Sequence, residues 1–215
     1  MKEYLDEISA VTAESLLQIK AIKLNNTTPF TWASGIKSPI YCDNRRILSF
    51  PKIRTYVRQE MVRIINIEFG PIAVVAGVAT GGIAIGALVA QDLGVPFAYV
   101  RSEKKDHGLK NQIEGVVESG QSVVVIEDLV STGKSSLNAV AALREAEANV
   151  KGMVSIFSYQ LEEAIENFKE ANCQLFSLTN YNDLIKTALS LDYIKESDMQ
   201  SLIQWRTNPT TWGIE

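Results

Sequence analysis

Beyond residue 70 the chain alternates between unbroken apolar runs and segments with helical spacing. IAVVAG (72–77) is apolar throughout, the pattern of a strand buried on both faces of a parallel sheet. GGIAIGALVAQDLG (81–94) reads as a helix that ends at Gly94, and PFAYVR (96–101) as the next strand. VVVIED (123–128) is another strand, followed by a helix over about 133–147 with Leu137, Val140, Ala141 and Leu143 inward. VKGMVSIFSY and CQLFSLT give two further strands, with the helix LEEAIENFKEA between them. From 181 the pattern is helical as far as Trp205 and then irregular.

The first 70 residues differ. Leu5, Ile8, Val11, Leu16 and Ile19 recur at roughly helical spacing, so residues 4–24 predict an amphipathic helix. Residues 25–45 are rich in turn formers, with a short extended piece near Ile40–Cys42. Pro51 opens a second helix over 51–69, with Ile53, Val57, Met61, Ile64 and Ile65 on one side. Strands alternating with helices predict an α/β fold with a mainly parallel central sheet flanked by helices. The expected organisation is one domain: a small N-terminal part (about 1–45), a core (about 50–180) and C-terminal helices (about 181–206).

Composition narrows the function classes. Hydrophobic residues make up 46% of the 215, enough for a sizeable core. The net charge is −4, which argues against a general nucleic-acid binder and makes any local basic cluster stand out. Cys42 and Cys173 lack metal-ligand spacing and read as reduced thiols. MKEYLDEISA lacks the apolar core of a signal peptide, and the apolar stretch near 72–90 is too broken by glycine for a membrane span. The expectation is a soluble cytoplasmic protein that binds neither membrane nor nucleic acid.

Candidate chemistry concentrates in VVVIEDLVSTGKSS (123–136). A Walker-type loop, G-x-x-x-x-G-K-[ST], needs glycine five positions before Gly133; that position holds Asp128, whose charge would oppose phosphate. A phosphate still suits the segment. The strand ends, a short turn follows, and a helix N-terminus near Gly133 offers free N–H groups and a positive dipole end. Ser131, Thr132 and Ser135 add hydroxyls. Glu127 and Asp128, one step back, would accept hydrogen bonds from sugar hydroxyls. The plainer alternative is that both acids only cap the helix.

The segment resembles the phosphoribosyl pyrophosphate (PRPP) motif of the type I phosphoribosyltransferases: apolar strand, two acids, two mostly apolar residues, then a hydroxyl-rich glycine turn. The resemblance implies that family's fold, with a small N-terminal hood over the sheet. It gives Glu127 and Asp128 the ribose hydroxyls and Ser131, Thr132, Gly133, Lys134 and Ser135 the 5′-phosphate, with Leu129 and Val130 also counted among the PRPP-binding residues. GVATGGI (77–83) is similar to the turn that touches pyrophosphate in this family, which implicates Thr80, Gly81 and Gly82.

Two more segments narrow the family. RSEKKDHGLKNQIEG (101–115) is polar and carries Arg101, Lys104, Lys105, Lys110 and His107, the single histidine of the chain. A solvated loop is the ordinary reading of such a run, but long polar loops in compact α/β domains are often lids. Arg101, Lys105, Asp106, His107 and Gly108 match the catalytic lid of the orotate phosphoribosyltransferases; Ser102 stands where many members carry lysine. FTWASGIKSPIYCDNR (30–45) is similar to that family's F-x-x-x-SG-x-x-SP segment through Ser34, Gly35, Ser38 and Pro39, with Ala33 at a position that is often lysine. Tyr41 and Cys42 align with aromatic positions beside the base, so Cys42 is a further departure.

The resemblance therefore implies transfer of phosphoribose from PRPP to orotate, releasing pyrophosphate and orotidine 5′-monophosphate, in pyrimidine biosynthesis. It implies Lys105, His107 and Asp128 as catalytic groups, with Arg101 beside the pyrophosphate and Ser131, Tyr41 and Cys42 at orotate. It also implies Mg2+ held mainly by substrate oxygens and water rather than directly by protein, and a homodimer in which the lid 101–115 reaches the neighbouring site. Two alternatives share the 123–136 motif: a purine-salvage phosphoribosyltransferase, and a non-enzymatic PRPP-sensing regulator. The first is not expected to carry the KKDHG lid or the SGIKSPIYCDNR segment; the second predicts a basic nucleic-acid face, which the net charge of −4 does not support.

Overall fold

The computed structural model describes residues 2–25, 27–32, 35–101 and 112–212. The chain begins with the helix α1 (Lys2–Gln18). It stops short of the expected residue 24, because Lys20 takes a left-handed conformation (φ 55°) and Ile22–Leu24 turns into a strand, β1. Ile8, Leu16 and Ile19 face inward as expected, whereas Val11 is 39% exposed. Two short ribbons follow. Phe30–Thr31 (β2) pairs antiparallel with Lys37–Ser38 (β3), and Ile40–Cys42 (β4) pairs back onto β1. A 3₁₀ helix (Asn44–Ser49) leads into α2 (Pro51–Glu68), which starts at the proline, where a missing N–H costs nothing.

The remaining elements are β5 (Val74–Val78), α3 (Gly81–Leu93), β6 (Phe97–Val100), β7 (Ile113–Glu114), β8 (Ser122–Val130), α4 (Lys134–Glu145), β9 (Asn149–Ser158), α5 (Glu162–Glu170), β10 (Leu175–Asn180), α6 (Tyr181–Ser190) and α7 (Glu196–Thr207). Six of the strands form one sheet in the order β10-β9-β8-β5-β6-β7. All neighbours are parallel except β7, which returns antiparallel to β6 with Tyr99 opposite Glu114.

Alternation along the central strands explains the layers. Val75, Val124, Ile126, Val154 and Ile156 pack with α1, α2, α3 and α6 on one face. Val74, Ala76, Val123, Val125 and Met153 pack with α4 and α5 on the other. Both faces are covered, as the unbroken apolar runs require. On α4 the inward residue is Ala142 rather than Ala141, which is exposed.

Along the chain, connections run outward from β5 to β6, then back across to β8 and outward to β9 and β10. The direction of winding therefore reverses between β5 and β8. At such a reversal the loops beyond the carboxyl ends of the two strands separate and leave a crevice, where α/β sheets of this kind bind ligands.

Candidate active site

β8 is longer than its apolar core suggests. The acids lie on the strand, not in a turn: Glu127 stands opposite Ser155, and pairing continues through Leu129 opposite Phe157 and Val130 opposite Ser158. Successive residues on a strand point to opposite faces, and this separates the acids. Glu127 reaches the α4 side, where its Oε2 accepts from the Ser136 hydroxyl at 2.9 Å and its Oε1 from the Asp128 N–H at 3.0 Å. It is 4% exposed. Burial first, and then the neighbouring Asp128 charge, push it up to about 8.

Asp128 turns toward α3. A Cβ added at Gly81 would fall on its carboxylate, so only glycine allows the first turn of α3 this close. Burial also raises Asp128, while its hydrogen bond with Glu127 and the nearby Arg45 guanidinium pull the other way. Arg45 is itself held by Asp43 at 2.7 Å.

The turn 131–133 joins β8 to α4. Gly133 has φ 80°, a left-handed conformation that favours glycine, and it is the N-cap of α4. No side chain caps that end and no acid lies in its first turn, so the free N–H groups and positive dipole end face the turn. Asn167 of α5 donates to the Thr132 carbonyl at 2.9 Å and so anchors the turn from behind. Ser131 and Thr132 are half-buried and Ser135 is exposed. The Lys134 ammonium is paired with Glu163 at 2.8 Å, which leaves its backbone N–H to the turn. Val130 is a core residue, and its carbonyl accepts from the Tyr159 N–H at 3.0 Å.

A cavity of about 270 Å³ adjoins this turn. Trp32, Tyr41, Leu129 and Tyr159 supply its ring and aliphatic walls; Thr31, Cys42 and Ser131 supply polar atoms. The structure thus brings Tyr41, Cys42 and Ser131 together, and Ser131 joins the cavity to the phosphate-type turn. The Cys42 thiol, which burial keeps neutral, donates to Asn44 Oδ1 at 3.1 Å. The Asn44 amide in turn donates to the Asp128 carbonyl at 2.7 Å. A larger cavity of about 310 Å³ lies between α5, β9 and β10, behind the turn, with Phe168 and Ser158 in its lining.

Across the crevice, Thr80 precedes Gly81 and Gly82 at the start of α3, and the Ala79–Thr80 peptide is cis. Arg101 stands at the end of β6. Its N–H bonds the Gln112 carbonyl at 2.9 Å, the Gln112 amide returns a bond to its carbonyl at 2.7 Å, and its guanidinium lies 3.6 Å from Glu114. Lys105 and His107, with the rest of 102–111, lie outside the described residues, as do Ala33 and Ser34. Among the described residues, no three His, Cys, Asp or Glu side chains gather into a metal-holding cluster.

Sequence reasoning missed Asn44, Ser136, Tyr159, Asn167 and Trp32. Ser136 closes the STGKSS run, Asn44 and Trp32 sit inside the quoted 30–45 segment, and Tyr159 ends an apolar run one strand from the acids. Position at the carboxyl end of a strand beside the winding reversal was the signal for Tyr159. No local motif marks Asn167.

An acid pair, an open helix N-terminus and an apolar cavity meeting at a sheet crossover define a phosphoribosyltransferase, and a phosphoribosyl transferase domain matches residues 46–194. The full chain is 55% identical over 200 residues to an orotate phosphoribosyltransferase of Phocaeicola vulgatus, covering 93% of this chain and 94% of that one. It is 52% identical over 206 residues to the orotate phosphoribosyltransferase of Listeria innocua, covering 96% and 99%. The crystal structure of orotate phosphoribosyltransferase from Aeropyrum pernix superposes with a TM-score of 0.74 at 27% identity, covering 85% of this chain and 99% of that one. The chain belongs to the orotate phosphoribosyltransferase family, and is an enzyme of the glycosyltransferase class.

Proposed function

We propose that the crevice between β5 and β8 transfers the 5-phosphoribosyl group from PRPP to orotate, giving orotidine 5′-monophosphate and pyrophosphate in pyrimidine biosynthesis. The observation that carries this reading is the junction at Ser131. An anion-ready helix N-terminus and a flat, ring-walled cavity meet there, so a sugar phosphate and a planar base are presented to each other.

The N–H groups of 131–135 hold the 5′-phosphate, and Glu127 and Asp128 face the ribose. The orotate ring nitrogen attacks the anomeric carbon, the carbon–oxygen bond to pyrophosphate breaks, and positive charge builds on the ribose. Asp128, beside the start of α3, stabilises that charge. Thr80, Gly81 and Gly82 face the leaving pyrophosphate, with Arg101, Lys105 and His107 closing over it and excluding water. Magnesium would be held mainly by PRPP oxygens and water rather than by the protein, and would supply charge neutralisation for the leaving group. The lid of one protomer serves its neighbour in a homodimer. No helix among the described residues is long and apolar enough to cross a membrane.

The test is a spectrophotometric assay of orotate loss with PRPP and Mg2+, with adenine, hypoxanthine and uracil as competitors. Orotate consumption that the other bases leave largely unaffected is expected. Absence of orotate consumption rejects the reading.

A further inference from the structure

Tyr159 is among the most enclosed groups of the cavity, with 2% of its surface exposed, and the little it keeps faces the cavity it lines. Its ring is locked in place. Ring centroids lie 5.2 Å from Trp32, 5.2 Å from Phe157 and 5.8 Å from Trp205, and its N–H is tied to Val130 across the strand pair. Trp205 extends this clamp by donating to the Lys37 carbonyl at 3.0 Å. A side chain so fixed cannot swing to find water.

Yet among the described residues the Tyr159 hydroxyl has no hydrogen-bond partner. Other enclosed polar groups nearby do. Cys42 donates to Asn44, Tyr181 to the Leu202 carbonyl at 3.0 Å, and Trp205 to Lys37. The hydroxyl is not one of the fully enclosed polar atoms that lack a partner, so it keeps contact with the open cavity and is a donor available to a ligand there. Burial also keeps the phenol protonated, so it is a donor at neutral pH. Among the described residues that line the cavity none is Lys, Arg or His, so the donors they offer to the oxygens of an anionic base are neutral.

We propose that the Tyr159 hydroxyl is a specificity-determining group that donates a hydrogen bond to an acceptor oxygen of the pyrimidine. The inference rests on reading the cavity as the orotate site. Orotate brings two carbonyl oxygens and a carboxylate, all acceptors. A base that turns a donor or a hydrocarbon edge to this wall leaves the phenol unpaired, and sites built to pair a buried polar group discriminate strongly against such ligands.

Tyr159→Phe keeps the ring and its packing and removes only the donor. With orotate, PRPP and Mg2+, the KM for orotate is expected to rise about 10-fold or more, while the KM for PRPP and the melting temperature stay at wild-type values. Calorimetric titration of orotidine 5′-monophosphate should show a matching loss of affinity. An unchanged orotate KM and unchanged product affinity overturn the proposal. So does a parallel loss for PRPP with a lowered melting temperature, which would mark a structural role. Failure of the wild-type protein to consume orotate is a separate outcome: it removes the base assignment and this inference with it.

Discussion

Residues 127–136 and the cavity around Tyr159 touch at Ser131, yet they are assembled differently. The phosphate–ribose end comes from ten consecutive residues: a strand end, a turn and a first helical turn, supported by Gly81 from across the crevice. Local backbone geometry does most of the work there. The base end is gathered from three distant stretches, 31–42, 129–131 and 159, and is held by ring packing that reaches to Trp205. A contiguous site tolerates change around it. A site assembled from afar depends on whatever fixes its parts relative to one another, and the buried Asn44 supplies one such tie, linking Cys42 of the cavity to the backbone of Asp128.

If the ends are separable, damage confined to one should leave the other intact. Gly81→Ala is the most severe test at the phosphate–ribose end, because the new Cβ occupies the space of the Asp128 carboxylate. Overpacking should cost about 1–3 kcal/mol of stability. Displacing a reacting-site group by about an ångström should lower kcat/KM for PRPP about 100-fold. Steady-state kinetics and thermal melting measure both. Wild-type kinetics in a folded Gly81→Ala protein would show that Asp128 does not act from this position.

Asn44→Ala attacks the tie itself. It leaves the Asp128 carbonyl without its side-chain donor and the Cys42 thiol without its acceptor, at a cost of about 1–3 kcal/mol. The kinetic signature should differ from that of Gly81→Ala: both the orotate and the PRPP KM should rise, each less than the single large effect above. If only one KM moves, Asn44 serves one end and the two ends are independent.

The same contrast explains what was legible beforehand. The β8–α4 motif could be read because a strand end and a helix start need only neighbours in sequence. Even there, the strand was expected to end at Asp128, and it runs on to Val130 because Leu129 and Val130 find partners in Phe157 and Ser158, which no local pattern announces. The first helix was expected to run on to residue 24 because Leu5, Ile8, Val11, Leu16 and Ile19 keep roughly helical spacing. Pairing of Ile22 with Cys42 and Leu24 with Ile40 overrides that spacing. The cavity was half-visible: Tyr41, Cys42 and Ser131 lie in recognisable segments, whereas Tyr159 and Trp32 become neighbours only through the packing of β9 against the hairpin.

A dependence on pH at Glu127 tests whether the phosphate–ribose end is strained before substrate arrives. Its carboxyl is raised from the ordinary 4.5 to about 8 in the folded protein. Between those values the folded state binds the proton more strongly than the unfolded state, so the group's contribution to stability falls as pH rises through that window and levels off above it. Glu127→Gln cannot ionise, and its amide oxygen can still accept from Ser136. The melting temperature of Glu127→Gln minus that of wild type should therefore be near zero at pH 4, grow between pH 5 and 8, and stay constant above pH 8. Titrating groups that do not touch Glu127 cancel in the difference; Asp128, which is coupled to it, contributes to the same change. A flat difference across that range would mean that Glu127 ionises normally, and that the acid pair carries both charges even without ligand. A rising difference would mean that the pair keeps one proton without ligand, so that ionising both carboxylates to accept from a ribose diol would also release a proton.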